Sequence, residues 1–146
     1  MPVLLVVHHT PSPALQSLLE AARAGAALVP EVEVVSRPAL SASASDLLGA
    51  DAVLLGTPAN LGYMSGALKH FFDTVYYPCL DATVGLPYGV YVHGNDDTVG
   101  ALASIQRITG GLRWKQVAAP VSLIGAPGPG ELEACSELAA TVAVSL

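Results

Sequence analysis

Blocks of apolar residues separated by short polar stretches run along the chain, and they predict five strands. Two blocks are uninterrupted runs of apolar residues, which is typical of central strands covered on both faces of a sheet. The last block contains Pro120, which requires a bulge or an edge position because proline donates no ladder hydrogen bond. The predicted strands span residues 3–7, 32–36, 53–55, 88–93 and 117–124.

Helical spacing follows each predicted strand, most clearly after residues 53–55. There the apolar residues recur at i, i+3, i+4, i+7 and i+8, and polar residues take the other face. The apolar face consists of Leu68, Phe71, Phe72, Val75 and Tyr76. A serine precedes this helix, and a glycine- and proline-marked loop is expected to join it to the strand.

Capping residues mark the other helices. Ser12 followed by Pro13 predicts a first helix reaching about residue 28, since serine favours the N-cap and proline the first helical position. Ser45 or Asp46 is expected to cap a short second helix that ends at Gly49. A fourth helix is expected over residues 98–109 with residues 110–111 as its glycine stop, and a fifth from residue 131 onward.

Strict alternation of strands and helices predicts an α/β fold with a parallel sheet covered on both faces. The economical arrangement for this length is a five-stranded sheet of order 2-1-3-4-5. No composition shift or polar linker divides the chain, so residues 1–146 are expected to form a single domain.

Composition restricts the classes of partner. Hydrophobic residues make up 52 % of the chain and charged residues 12 %, which favours a buried sheet or an oligomer. A net charge of -6 with scattered Lys and Arg argues against nucleic-acid and anionic-membrane partners. The chain shows no signal-peptide pattern and no apolar run long enough to cross a bilayer, so we expect a cytoplasmic protein. Cys79 and Cys135 are interpreted as buried thiols.

Three loops are expected to meet at the carboxyl ends of the first, third and fourth strands, where open sheets of this order bind ligands. The loop at residues 8–14 has the parts of a phosphate cradle: the Thr10 and Ser12 hydroxyls and the N–H groups of Ala14, Leu15 and Gln16 at a helix N-terminus. The alternative is that Ser12 only caps the helix.

The loop at residues 57–65 carries glycines that allow the backbone to approach a flat ligand. Asn60, Leu61, Tyr63 and Met64 offer amides and a soft apolar face to such a ligand. The alternative is that the glycines are ordinary turn residues and that Met64 fills the core.

The segment GTPANLGYMSGALKHFFD, residues 56–73, resembles the second flavin loop and following helix of the flavodoxin-like superfamily, on the side of the NAD(P)H-dependent FMN reductases and WrbA-type quinone reductases. The resemblance implies a flavodoxin-like three-layer sandwich that binds FMN noncovalently. It also implies a homodimer or higher oligomer. The cofactor-binding residues that it implies are His9, Thr10, Ser12, Ala14, Leu15, Pro58, Ala59, Asn60, Leu61, Gly62, Tyr63, Met64, His93, Gly94, Asn95 and Asp96.

The implied function is an NAD(P)H-dependent oxidoreductase that passes electrons through the flavin to a quinone or similar small acceptor, with no catalytic side chain required. The alternative is a flavodoxin-type electron carrier that does not itself oxidise NAD(P)H. A response-regulator receiver is rejected, because the required acidic and lysine positions hold His8, His9, Gly56, Thr57, Ile124 and Gly125. A metal site is disfavoured, since adjacent His8 and His9 point to opposite faces of a strand and only one of them can join His93.

Overall fold

A computed structural model describes all 146 residues, from Met1 to Leu146. Five helices alternate with the strands of a mostly parallel sheet, as the apolar blocks predict. The strands are β1 (Val3–His8), β2 (Glu33–Pro38), β3 (Ala52–Asn60), β4 (Tyr63–Met64), β5 (Pro87–Gly94), β6 (Lys115–Gln116) and β7 (Val121–Ile124). The helices are α1 (Pro13–Ala27), α2 (Ala44–Leu48), α3 (Gly66–Cys79), α4 (Val99–Leu112) and α5 (Pro129–Val144).

The parallel strands lie in the order β2-β1-β3-β5-β6, which confirms the predicted five-stranded 2-1-3-4-5 arrangement. The fifth position is divided between two short strands. β6 pairs with the start of β5, and β7 pairs with its end. The interruption spans residues 117–120 and ends at Pro120, so this edge strand is shorter than predicted.

Two apolar layers cover the sheet. One joins the sheet to α3 and α4 and contains the aromatic side chains of Phe71, Phe72 and Trp114. The other joins the sheet to α1 and α5 and contains Tyr91. In this second layer the backbones of α1 and α5 are in direct contact at Gly25. A Cβ built on Gly25 would lie 2.0 Å from the carbonyl oxygen of Ser136.

Three predicted boundaries were wrong. Ser43, not Ser45 or Asp46, caps α2, and the Asp46 carboxylate accepts from the Ser43 N–H in return at 2.9 Å. α4 continues through the expected glycine stop to Leu112 and ends at Arg113, which adopts φ +59°. β3 runs on to Asn60, so the expected loop after residue 55 is mostly strand.

The helices are also short relative to a bilayer. None of the five combines the length and the apolar character that a membrane-spanning helix requires.

Candidate functional site

The three expected loops meet at the carboxyl ends of β1, β3 and β5. They enclose a pocket of about 190 Å³, and a second pocket of about 270 Å³ adjoins it through Ala59 and Asn95. The first pocket is lined by Pro11, Ser12, Leu15, Pro58, Ala59, Asn60, His93, Gly94 and Asn95. The second is lined by Ala59, Leu61, Gly62, Asn95, Asp96 and Asp97. Each loop therefore contributes to one continuous depression at the switch point of the sheet.

A larger concavity of about 380 Å³ lies elsewhere, against the outer side of α1. It is lined by Glu20, Arg23, Ala24, Ala27 and Val34. No loop at the carboxyl end of a strand reaches it, and it exposes only side chains of one helix and one strand. We therefore take the depression at the switch point as the candidate site.

The first loop presents backbone donors at the start of α1. Ser12 caps the helix, since its hydroxyl oxygen accepts from the Leu15 N–H at 3.3 Å and its carbonyl accepts from the Gln16 N–H at 3.0 Å. The N–H groups of Thr10, Ser12 and Ala14 have no partner within the chain. The sequence predicts free N–H groups at Ala14, Leu15 and Gln16, but only that of Ala14 is free, because the other two donate to Ser12. The loop before it adds the free N–H groups of Thr10 and Ser12.

Proline limits this donor set. Pro11 and Pro13 alternate with the free donors and carry no N–H of their own. Pro11 instead lines the pocket as an apolar wall beside Ser12. His9, Thr10 and Ala14 lie outside the lining, and the His9 N–H donates to the carbonyl of Gly56 at 2.9 Å.

His8 ends β1 directly beneath this loop and was not among the expected site residues. Its Nδ1 lies 2.7 Å from the hydroxyl oxygen of Thr10. The side chain is half-buried, and burial lowers the pKa of His8, with the positive charges of Arg23 and His9 acting in the same direction. The strand-end position was visible in the sequence, but the pairing with Thr10 depends on how the loop folds back.

The second loop is a β-hairpin. β3 turns at Leu61 and Gly62 and returns as β4, with Asn60 paired to Tyr63. Both turn residues have positive φ, +52° for Leu61 and +73° for Gly62, as a two-residue type I′ turn requires. Leu61 is fully exposed in this unfavourable conformation, and its side chain stands at the rim of the second pocket.

Buried hydrogen bonds hold the hairpin against its neighbours. The Thr57 hydroxyl donates to the carbonyl of Pro58 at 2.8 Å and accepts from the Ser65 N–H at 3.1 Å. The Met64 N–H donates to the Ser104 hydroxyl of α4 at 3.1 Å. The backbone around Pro58 and Asn60, which is expected to face a flat ligand, is thus held in place by hydrogen bonds of Thr57 and Ser104. The composition of the loop alone did not identify these two residues.

Met64 does not present a soft face to the pocket. Its side chain is only 2 % exposed and packs in the core with α3 and α4, so the core-filling alternative is confirmed for it. Tyr63 and Asn60 are exposed beside it. The alternation of β4 sends Met64 inward and Tyr63 outward.

The third loop supplies a histidine and an acidic edge. The His93 Nε2 lies 2.8 Å from the carbonyl oxygen of Gly125, and since a carbonyl can only accept, Nε2 carries a proton. Asn95 and Asp96 are exposed, and the Asp97 carboxylate accepts from the N–H of Val99, the first residue of α4, at 2.9 Å. Gly94, between His93 and Asn95 in the sequence, is buried, and a Cβ built on it would lie 2.9 Å from the Asp97 carbonyl oxygen.

Metal ligands do not gather anywhere in the chain. No group of three or more His, Cys, Asp or Glu side chains lies close enough together to hold a metal ion. The candidate site offers backbone N–H donors, two hydroxyls, the amides of Asn60 and Asn95 and the His93 imidazole, beside small and proline side chains. This set suits a ligand with an anionic group and a flat body.

No family model and no curated protein matches this chain. Solved structures do match it over nearly its whole length. A WrbA-like flavodoxin from Agrobacterium tumefaciens is 18 % identical, with 99 % of this chain and 97 % of that one covered and a TM-score of 0.81. A flavodoxin from the domain Archaea is 16 % identical, with 98 % and 97 % covered and a TM-score of 0.84. An oxidoreductase from Corynebacterium diphtheriae is 20 % identical, with 100 % and 98 % covered and a TM-score of 0.73. The fold is therefore flavodoxin-like.

Proposed function

We propose that this protein binds FMN noncovalently at the three loops and acts in electron transfer as a flavodoxin-type carrier. The observation that carries the proposal is the convergence of the loops after β1, β3 and β5 on one depression with free backbone donors at a helix N-terminus. The flavodoxin-like fold supports it, since the solved structures that share this fold include flavodoxins.

The residues of the site fit such a cofactor. Ser12 lines the pocket with a free N–H and a hydroxyl, and the free N–H groups of Thr10 and Ala14 and the Thr10 hydroxyl flank it in the same loop; together they are suited to a phosphate group. A flat ring is suited to the space between residues 58–60 and residues 94–95, where small side chains and backbone line the pocket. Bound FMN would supply one- and two-electron chemistry, and the chain would supply binding, orientation and partial exclusion of water.

Phosphate recognition gives a sharp test. Ser12→Asp retains an N-cap residue of comparable quality but places a carboxylate where the phosphate is proposed to bind. We expect titration by flavin fluorescence to show FMN affinity reduced at least about tenfold in this variant, a cost of about 1.4 kcal/mol. Riboflavin, which lacks the phosphate, is expected to bind the variant and the unmodified protein within about twofold.

Two results would overturn the FMN proposal. One is that the protein binds no FMN at micromolar concentration. The other is that Ser12→Asp weakens riboflavin as much as FMN, because the substitution would then act on the fold and not on a phosphate.

The carrier is favoured over a reductase by the charge of the site. No Lys or Arg lines either pocket, and the adjoining one is bordered by Asp96 and Asp97. The phosphates of a nicotinamide dinucleotide would find no cationic side chain there and would meet acidic ones. An electron carrier that docks another protein has no such requirement.

An NAD(P)H-dependent oxidoreductase is the second candidate. It is supported by the resemblance of residues 56–73 to the reductase side of the superfamily, and the solved structures of this fold include an oxidoreductase. Anaerobic mixing of the FMN-loaded protein with NADH or NADPH separates the two. For a carrier we expect the flavin absorbance to persist and to bleach only with dithionite, in two one-electron steps. Bleaching by a nicotinamide would establish the reductase instead.

We extend the proposal to a homodimer formed through the aromatic end of α3. Tyr77 is 82 % exposed and stacks edge-to-face with Tyr76, at a centroid distance of 5.2 Å. A groove of about 230 Å³ lies beside the pair, lined by Lys69, Phe72, Asp73, Tyr76, Tyr77 and Ile108. Light scattering at micromolar concentration is expected to give a dimer that Tyr77→Ser weakens and Leu28→Ser, an exposed apolar position on another face, does not.

A further inference from the structure

We propose that His8 is a positioning residue of the phosphate site and that its protonation is coupled to binding of the FMN phosphate, through the hydroxyl of Thr10. This inference rests on the proposed function. It assigns to the site a residue that the family resemblance does not, and it predicts a pH dependence of FMN affinity that belongs to this chain.

The hydrogen bond between His8 and Thr10 is the basis of the coupling. The His8 Nδ1 and the Thr10 hydroxyl oxygen are 2.7 Å apart. In the neutral tautomer that carries its proton on Nε2, Nδ1 accepts, so the Thr10 hydroxyl hydrogen is used by the imidazole and cannot point to a ligand. When His8 is protonated, Nδ1 must donate, and the Thr10 hydroxyl is then free to donate outward.

The environment of His8 makes an added proton unfavourable without a ligand. Burial and the positive charges of Arg23 on α1 and His9 in the loop lower its pKa. Its strand neighbours in register, Pro38 on β2 and Gly56 on β3, carry no charge that would compensate. Tyr91 lies one strand further, on β5. Burial raises the pKa of its hydroxyl, which therefore stays neutral.

A bound phosphate changes this balance. The first loop contains no Lys or Arg, so apart from the His9 imidazole it would offer the phosphate only backbone and hydroxyl donors. A protonated His8, hydrogen-bonded to the Thr10 hydroxyl, would add a positive charge beneath them. An anion close to an imidazole favours its charged form. By thermodynamic linkage, protonation of His8 must then strengthen FMN binding by the same factor.

The test compares three proteins and two ligands between pH 8 and pH 5.5. His8→Asn keeps a side-chain amide near Thr10 but does not titrate, and His70→Asn removes an exposed histidine on α3 far from the site. We expect the ratio of the FMN affinity of the unmodified protein to that of His8→Asn to rise about tenfold as the pH falls. A tenfold rise corresponds to a shift of about one unit in the pKa of His8 when FMN binds. The comparison cancels the ionisation of the phosphate itself, which occurs near pH 6. His70→Asn is expected to follow the unmodified protein, and riboflavin affinity is expected to show no such rise.

A second measurement does not depend on a variant. The imidazole resonances of His8 in the unmodified protein are expected to titrate at higher pH with FMN bound than without it, and not to move with riboflavin. A His8 midpoint unchanged by FMN, or a pH profile shared by the unmodified protein and His8→Asn, would overturn this inference and leave FMN binding intact. Absence of FMN binding at every pH would overturn the proposed function, and the inference with it.

Discussion

The aromatic ring of Tyr91 on β5 lies directly over Gly56 on β3. A Cβ built on Gly56 would be 2.1 Å from Tyr91 Cζ and 2.2 Å from its hydroxyl oxygen. The two residues are paired in register, with His8 on the other side of Gly56. Position 56 therefore requires glycine, because the Tyr91 ring on the neighbouring strand leaves no room for a side chain. This contact lies next to the loops that form the candidate site.

Gly56→Ala is expected to destabilise the protein by about 1–3 kcal/mol, since the new methyl group must displace a fully buried ring. The matched control is Gly110→Ala in α4, where a Cβ would meet nothing within 4 Å. That change is expected to stabilise by about 0.5–1 kcal/mol, because alanine favours the helix. Urea denaturation of both variants checks the prediction, and equal effects of the two substitutions would contradict it.

Tyr91→Phe is expected to leave stability unchanged or to raise it by up to about 1 kcal/mol. The Tyr91 hydroxyl is buried and has no hydrogen-bond partner, so its removal relieves an unmet polar group. Tyr88, on the same strand, accepts from the Thr109 hydroxyl at 3.0 Å. Tyr88→Phe is therefore expected to lose about 1 kcal/mol in the same denaturation experiment, and a loss in Tyr91→Phe of that size would show that its hydroxyl has a partner.

Thr57→Val is expected to cost about 1–3 kcal/mol and to weaken FMN binding. Valine has the shape of threonine but leaves the buried Ser65 N–H without its acceptor and the hairpin without its anchor. Thr57→Ser retains the hydroxyl and is expected to recover most of the affinity. Thr74→Val, on the exposed face of α3, is expected to change stability by less than about 0.5 kcal/mol. Denaturation and flavin titration measure the two effects, and full FMN affinity in Thr57→Val would contradict the anchoring role.

The stability of the ligand-free protein is expected to fall as the pH drops below about 6.5, in part through His8. Its pKa is lowered in the folded state, so the unfolded chain binds more protons in this range and acidification stabilises it relative to the folded protein. His8→Asn is expected to flatten this dependence, and His70→Asn to leave it unchanged. Denaturation midpoints at several pH values measure the slope, and parallel slopes for all three proteins would refute the assignment to His8.

Much of the fold could be predicted because periodicity reports burial directly. The apolar runs at β1 and β3 and the apolar face of α3 depend only on which residues are hidden, and the succession of strands and helices follows from them. The sheet order was predicted separately, as the economical arrangement for such an alternation in a chain of this length. The three loops could be located for the same reason. Topology brings strand ends together whatever their residues are.

The remainder depended on contacts between distant residues. Nothing near Gly56 in the sequence indicates that Tyr91 covers it, and nothing near Met64 indicates that Ser104 accepts from its backbone. The glycines and the proline of residues 56–62 predict a loop, whereas the type I′ turn at Leu61 and Gly62 is evident only from the pairing of β4 with β3. Helix α4 passes its glycines for a similar reason, since tertiary packing of Leu112 outweighs local propensity.

The close approach of Gly25 to Ser136 joins the first helix of the chain to the last. The Cys135 thiol, which donates to the carbonyl of Leu18 at 3.4 Å, spans the same contact across 117 residues of sequence. During synthesis the apolar stripe of α1 therefore leaves the ribosome long before the surface that covers it exists. Closing so long a loop is slow, and completion of this layer is expected to be a late step in folding, one that a chain shortened before α5 cannot take.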